Sequence, residues 1–181
     1  MKHLTAMFIM VLLTCTTARA EWQPRTDNEN EVQAHATISA MRQSHPAAAE
    51  FFEQAHAYAV FPTVTKAAFM FGFTYGTGLV IRADEVIGRC SLKTLDLGPQ
   101  AGGSRFSQII FFRDAAALDE FAKGRLEFSG KAGVSVVSLD ATATPAHLPD
   151  VAIITMNRFG LIAQAAAGPT KFDYEPVETA N

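Results

Sequence analysis

The segment from Lys66 to Ile81, KAAFMFGFTYGTGLVI, constrains the fold more than any other part of the sequence, because its side chains alternate in character. One set of alternate positions carries aromatic rings, namely Phe69, Phe71, Phe73 and Tyr75. The other set is mostly small, namely Ala68, Met70, Gly72, Thr74, Gly76 and Gly78. Successive residues of a strand point to opposite faces, so the pattern predicts a strand with one aromatic face and one nearly bare face. A bare face lets another backbone or a helix approach closely, or lets the strand bend at a barrel corner.

Two helices are expected before this strand, at about 30–43 and about 47–57. Ser44 is expected to be the N-cap of the second helix, with Pro46 in its first turn. The large side chains of this region are predicted to pack on the sheet; they are Phe51, Phe52 and Tyr58.

Further strands are expected after the strand at Lys66–Ile81, at about 86–97, 105–112, 126–138 and 171–175. The glycine-rich stretch Gly98–Gly103 is interpreted as a tight turn between the first two of these strands. A short helix is expected between Asp114, its N-cap, and Gly124. A hairpin is expected to pair Val151–Met156 with Leu161–Ala167 across the turn Asn157–Gly160. Strands joined by short turns predict an α+β fold, with a mainly antiparallel, curved or barrel-like sheet, N-terminal helices and one short central helix.

The first 20 residues have the pattern of a secretory signal peptide. Lys2 precedes the apolar run Leu4–Leu13, and Ala18-Arg19-Ala20 is a cleavage signal of the small-x-small type. An N-terminal anchor helix and a lipoprotein modified at Cys15 are the alternatives. A periplasmic or secreted protein is therefore expected, with a flexible lead-in at 21–30 and a single domain at 31–178.

Composition limits the classes of function. Apolar residues make up 49% of the chain and charged residues 18%, which argues against disorder. Cleavage after Ala20 would remove Lys2 and Arg19, leaving 13 basic and 18 acidic side chains, a net charge of −5. This balance disfavours a nucleic-acid partner. Cys90 would then be the remaining cysteine, and it is predicted to be a buried, unreactive side chain.

No motif in the sequence indicates catalysis. No serine has glycine on both sides at the spacing of a nucleophile elbow, and neither His-Glu-x-x-His nor Cys-x-x-Cys occurs. His35, His45 and His56 are interpreted as solvated helix residues rather than as metal ligands. A non-enzymatic protein without cofactor or metal is therefore expected, and a hydrolase assembled from distant residues is the alternative.

The stretch Tyr58–Ala67, YAVFPTVTKA, resembles the opening signature of the SYLF domain family of lipid-binding modules. The features that follow in the same order are the glycine-spaced strand, Gln100-Ala101-Gly102-Gly103, the Phe-rich run Ile109–Phe112, a short helix with Leu118 and Phe121, Phe128, the Gly130 and Ala132 region, and Gly160-Leu161. The resemblance covers roughly 50–175. It implies association with phospholipids, and similarity to an exported bacterial branch of the family.

Anionic phospholipid is the partner that this resemblance implies, and Lys66 lies at the family's lysine position. The other candidate lipid contacts are Arg105, Arg113, Lys123, Arg125 and Lys131, if the sheet brings them to one side. Local clustering can outweigh net charge, because salt screens charges beyond about 8 Å. Two interpretations stay open for these residues: a solvated face with scattered cations, and, for Lys66, a core-edge lysine whose stem covers apolar surface.

The predicted function is therefore non-enzymatic phospholipid binding at a membrane surface in the cell envelope. The alternative is a protein-interaction or envelope-structural module with an unknown protein partner. The aromatic row from Phe69 to Tyr75 is expected to be core rather than membrane-facing. A barrel whose mouth accepts one acyl chain is a further option.

Overall fold

The computed structural model describes residues 22–124, 134–137, 150–164 and 170–177. The helices in these ranges are α1 (Glu29–Ser44), α2 (Ala48–Gln54) and α3 (Ala115–Ala122). The strands in these ranges are β1 (Ala57–Arg82), β2 (Glu85–Phe112), β3 (Val134–Val137), β4 (Val151–Gln164) and β5 (Thr170–Pro176). The expected α+β class is confirmed.

The N-terminal helices lie near their predicted positions, but α2 ends at Gln54 rather than at about residue 57, and the junction between the two helices also differs. The Asn28 side chain accepts hydrogen bonds from the Asn30 and Glu31 amides and begins α1. The expectation that Ser44 caps α2 is wrong, because α1 continues through Ser44. The Ser44 hydroxyl donates instead to the Ala40 carbonyl, at 2.7 Å.

Strands β1 and β2 form one long antiparallel hairpin, paired from Ala57 and Phe112 at its open end to Arg82 and Glu85 at its turn. Ala83 and Asp84 make the turn with φ angles of 49° and 61°. Two successive positive φ angles are typical of the tight turns that join strands with the usual right-handed twist.

The hairpin bends near its middle. Met70, with φ of 61°, lies between Phe69, which pairs with Ala101, and Phe71, which pairs with Leu97. Three residues of β2 therefore oppose one residue of β1. The predicted turn at Gly98–Gly103 is wrong, because the extra residues are absorbed as an irregularity in a continuous strand rather than reversing the chain. This bend, residues 69–71 with 97–101 opposite, is called the corner below.

The bend folds β1 back on itself, and glycines make the crossing possible. A Cβ atom placed on Gly78 would lie 2.2 Å from the Val60 carbonyl oxygen, and one on Gly76 would lie 2.9 Å from a Val64 methyl carbon. Of the alternatives that the bare face allows, the structure shows the close approach of a backbone, and that backbone is the first half of the same strand.

Two apolar layers result from this folding. The inner core lies between the two halves of the folded sheet and includes Phe61, Phe121 from α3 and Phe172 from β5. The outer core lies between the sheet and the helices α1 and α2, and there the Phe51 and Phe111 rings are 5.6 Å apart. The predicted packing of Phe51 and Phe52 on the sheet is confirmed, whereas Tyr58 is itself a residue of β1, where its ring contacts those of Phe52 and Phe111.

The remaining strands line the other edge of β2. β5 pairs with its first half over Gly88–Thr94, and β4 pairs with its second half over Gln100–Phe112. β3 lies parallel to β4. The predicted turn at Asn157–Gly160 is wrong, because β4 runs straight through these residues along the continuous β2.

Other predictions about the sheet have different outcomes. The short helix after Asp114 and the strand near 171–175 are confirmed. Of the strand expected at 126–138, the structure describes residues 134–137 alone. The sheet is curved, and it does not close into a barrel within the described ranges.

Candidate functional site

A three-stranded part of the sheet, formed by β1 beyond the corner, the first half of β2, and β5, carries one continuous outer face. Its side chains lie in cross-strand rows set by the pairing. The rows, starting next to Phe71 at the corner, are Phe73 with Leu95, Tyr75 with Lys93 and Lys171, Thr77 with Ser91 and Asp173, and Leu79 with Arg89 and Glu175. The face therefore changes from apolar to charged with distance from the corner.

The aromatic row expected in the core lies on this outer face and is exposed. The exposed fractions fall steadily from the corner: Phe69 80%, Met70 64%, Phe71 63%, Phe73 53% and Tyr75 42%. Leu95, opposite Phe73, is also exposed. The expectation of a buried row is wrong because α1 covers the same face of β1 at Leu79 and Ile81 but does not extend to the corner.

We call the exposed apolar set the aromatic corner: Phe69, Met70, Phe71, Phe73, Tyr75 and Leu95. The Phe73 and Tyr75 rings are nearly parallel, with an interplanar angle of 7° and centroids 6.5 Å apart. Because the exposed rings follow one another on one face of the strand, they form an apolar ridge. Exposed apolar groups that adjoin one another in this way are typical of interaction sites.

A row of cations adjoins the aromatic corner at Tyr75. Lys93 pairs across β2 with Tyr75 on one side and Lys171 on the other. The Lys93 ammonium donates to the Asp173 carboxylate at 2.8 Å, which raises the pKa of Lys93 and lowers the pKa of Asp173. Lysine side chains at such a boundary can extend their ammonium groups toward water while their stems cover apolar surface.

Arg105 occupies the matching position on β2 on the opposite side of the corner. Lys93 precedes Leu97 by four residues, and Arg105 follows Ala101 by four residues, so both lie about 13 Å along the strand from the corner. Arg105 is exposed. Of the cations that the sequence singles out, it is the one that the described structure places on the surface at the level of Lys93 and Lys171.

Lys66 lies inside the corner rather than on its surface. Its ammonium donates to the Asp96 carboxylate at 2.6 Å, and the two side chains are 14% and 6% exposed. The pair joins the two halves of the folded hairpin near the bend. A neutralised, shielded pair adds little charge to the surface of the corner.

The other candidates do not gather on one side. Arg113, just beyond the end of β2, forms ion pairs with Asp114 and Asp150, and Lys123 pairs with Asp119 at the end of α3. Arg113 follows Arg105 by eight residues, or about 26 Å of extended strand. Arg125 and Lys131 lie outside the described residues.

Sequence reasoning missed Leu95, Lys93, Lys171 and Arg89 as members of one surface. The signal was available in part, since Arg89, Ser91, Lys93 and Leu95 alternate along a predicted strand. Their partnership with β1 and β5 depends on strand register, which alternation alone does not give.

On the side of Tyr75 that faces away from the corner, the first turns of α1 cover the outer face of the sheet. A cavity of about 380 Å³ lies between this helix and the sheet. Asn30 and Gln33 lie on the α1 side, and the polar rows of the sheet form the opposite wall. Cys90, on β2, is buried in the inner core, and its burial was predicted. Burial raises the pKa of its thiol.

Within the described residues, no helix is long and apolar enough to cross a membrane. No group of three or more His, Cys, Asp or Glu side chains in those same residues is placed to hold a metal ion. No protein-family model matches the chain, and no curated protein matches it.

Proposed function

We infer that this protein is a non-enzymatic phospholipid-binding domain that attaches to a membrane surface through the aromatic corner. The observation that carries this proposal is the exposure of Phe69, Phe71 and Phe73 beside a row containing Tyr75, Lys93 and Lys171. An apolar ridge bordered by tyrosine and lysine matches the change from hydrocarbon to head groups in a bilayer. Membership of the SYLF family and location in the cell envelope are part of the same proposal.

The dimensions of the outer face suit an orientation in which the aromatic corner enters the bilayer and the row of Tyr75, Lys93 and Lys171 lies at the head groups. Tyr75 follows Phe71 by four residue steps along the strand, a distance of about 13 Å. The hydrocarbon half-thickness of a bilayer is about 15 Å. A hairpin standing upright would therefore bring Phe71 deep into one leaflet when Tyr75, Lys93 and Arg105 reach the head groups, and a tilted hairpin would insert less deeply.

The apolar contribution to binding exceeds the ionic one on this surface. Complete burial of each phenylalanine contributes about 1.5–3 kcal/mol, so three of them contribute roughly 5–9 kcal/mol before the cost of association. Each lysine or arginine near an anionic surface contributes about 1 kcal/mol. Because Lys66, Arg113 and Lys123 are already paired with carboxylates, we expect weaker salt dependence than a cationic patch would give.

Co-sedimentation with vesicles tests the proposal, using the chain in the form purified from an exporting host. The double variant Phe71→Ser/Phe73→Ser should bind vesicles at least tenfold more weakly than the wild type. Val32→Ser is the matched control, because Val32 is an exposed apolar residue of α1 away from the corner. Equal pelleting of the wild type and the double variant would contradict the proposal, and pelleting of neither would favour the protein-interaction alternative.

A further inference from the structure

The cavity behind Tyr75 has an unusual charge composition for its size. Its polar wall carries one cation, Arg89, and two carboxylates, Asp173 and Glu175. Thr77 and Ser91 also line the cavity, in the same cross-strand row as Asp173. At about 380 Å³ the cavity is at the small end of the range for ligand pockets, which suits a polar head group and not a lipid with its acyl chains.

One charge of each sign is left without an ion pair there. Asp173 is engaged by Lys93 and by the Ser91 hydroxyl. Arg89 and Glu175 lie directly opposite each other on β2 and β5, yet neither forms an ion pair with any described residue. A ligand that carries both an anionic and a cationic group would satisfy the two side chains at once.

The position of the cavity fixes how such a ligand would be reached. Its nearest row, Thr77 with Ser91 and Asp173, is two residues from the row of Tyr75, Lys93 and Lys171, or about 7 Å. If the aromatic corner enters the hydrocarbon, the cavity opens at the level of the head groups or just outside it. This step rests on the proposed function.

We propose that the cavity binds the head group of a zwitterionic phospholipid that carries a primary amine, as phosphoethanolamine does. Arg89 binds the phosphate, and Glu175 receives the ammonium group. A purely anionic head group would bring its charge to the two carboxylates, and a quaternary ammonium has no N–H to donate to them.

A soluble head group tests the cavity without any membrane. Glycerophosphoethanolamine, titrated into the wild-type chain and followed by amide NMR, should shift the resonances of Thr77, Arg89, Ser91 and Glu175. Glycerophosphoglycerol and glycerophosphocholine at the same concentrations should shift them at least fivefold less. Equal shifts with glycerophosphoglycerol would overturn the proposal by indicating a simple anion site, and no shift with glycerophosphoethanolamine would also overturn it.

Variants then separate the cavity from the corner. Arg89→Gln should abolish the preference for vesicles containing phosphatidylethanolamine over pure phosphatidylcholine. Arg82→Gln is the matched control, since Arg82 is exposed on the same hairpin and does not line this cavity. An Arg89→Gln protein that keeps the preference would overturn the proposal.

Glu175→Gln supplies a second, independent readout. It should weaken glycerophosphoethanolamine binding and strengthen glycerophosphoglycerol binding, because one carboxylate is lost from the wall of the cavity. Unchanged affinity for both would overturn the assignment of Glu175. Failure of Phe71→Ser/Phe73→Ser to lose vesicle binding would instead count against the corner alone, since the soluble titration does not depend on membrane attachment.

Discussion

The outer face of β1 has two ends that carry similar side chains and differ in what covers them. Near the hairpin turn, Leu79 and Ile81 are buried under α1. Near the corner, Phe71 and Phe73 stand on the same face and are exposed to solvent. The difference shows that the apolar character of a strand position does not decide its burial. The extent of the covering helix does.

The inner face of the folded hairpin is apolar at the covered end and ionic at the corner. At the covered end it is apolar and closely packed, with Gly78 against Val60. At the corner it holds the Lys66–Asp96 ion pair. The corner is thus ionic inside and apolar outside, which is the arrangement expected of an element that meets an apolar environment while its charges stay neutralised.

The largest effect on stability is expected from breaking that ion pair. Lys66→Ala leaves the buried Asp96 carboxylate without this cation and should lower the free energy of unfolding by about 3–5 kcal/mol. Urea denaturation measures the loss. Lys66→Met combined with Asp96→Asn should recover most of it, and a single variant as stable as the wild type would show that the pair does not hold the corner together.

A matched pair of alanine variants compares the two ends directly. Ile81→Ala, at the covered end, should cost about 2–5 kcal/mol of stability because it leaves a cavity under α1. Phe73→Ala, at the exposed end, should cost less than about 1 kcal/mol, mainly from its stacking on Tyr75. Equal losses in thermal unfolding would mean that Phe73 is covered in solution.

Gly78→Ala tests the crossing that allows the covered end to pack. The added Cβ would meet the Val60 backbone, which cannot rotate away, and should cost about 1–3 kcal/mol or more. Gly103→Ala is the control, because its added Cβ would lie 3.6 Å from the Lys66 carbonyl oxygen, an ordinary contact. Similar stabilities of the two variants would contradict the close crossing.

A smaller effect is expected at α3, whose Phe121 helps to form the inner core at the covered end. Asp114 accepts a hydrogen bond from the Ala117 amide, which lowers the pKa of its carboxyl group. Asp114→Ala should therefore cost about 1 kcal/mol at neutral pH.

The pH dependence of that difference has a defined sign. A depressed carboxyl pKa stabilises the fold above the ordinary Asp pKa of about 3.9, and this contribution is lost as the pH falls through the folded-state value. The gap between wild type and variant in urea denaturation should shrink below about pH 4. A gap that is the same at pH 3 and pH 7 would contradict the capping role.

Local signals in the sequence were sufficient for the elements whose ends have their own chemistry. Asp114 begins α3 through a side-chain cap, as predicted, and Gly76 with Gly78 indicated a face that another backbone could approach closely. The stretches Gly98–Gly103 and Asn157–Gly160 were predicted as turns and proved to be strand. Glycine permits a turn, but a long partner strand can hold the same residues extended.

The site was harder to predict than the fold. Alternation separated the aromatic row from the small residues, but it could not show which face α1 covers or where that cover ends. Lys93, Lys171 and Arg105 reach a common level because of strand register and the bend at Met70. Both are set by contacts far apart in the sequence, which no local pattern reports.

Membrane attachment through the aromatic corner is tested most directly by measuring how deeply that corner enters a bilayer. Single cysteines that carry an environment-sensitive fluorophore would replace Phe71 at the exposed end and Arg82 at the turn, in a Cys90→Ala background, and lipid-borne quenchers at known depths would be added to vesicles. We predict that the label at position 71 is quenched by quenchers within the hydrocarbon and that the label at position 82 stays in water. Equal, water-like quenching at both positions would contradict it.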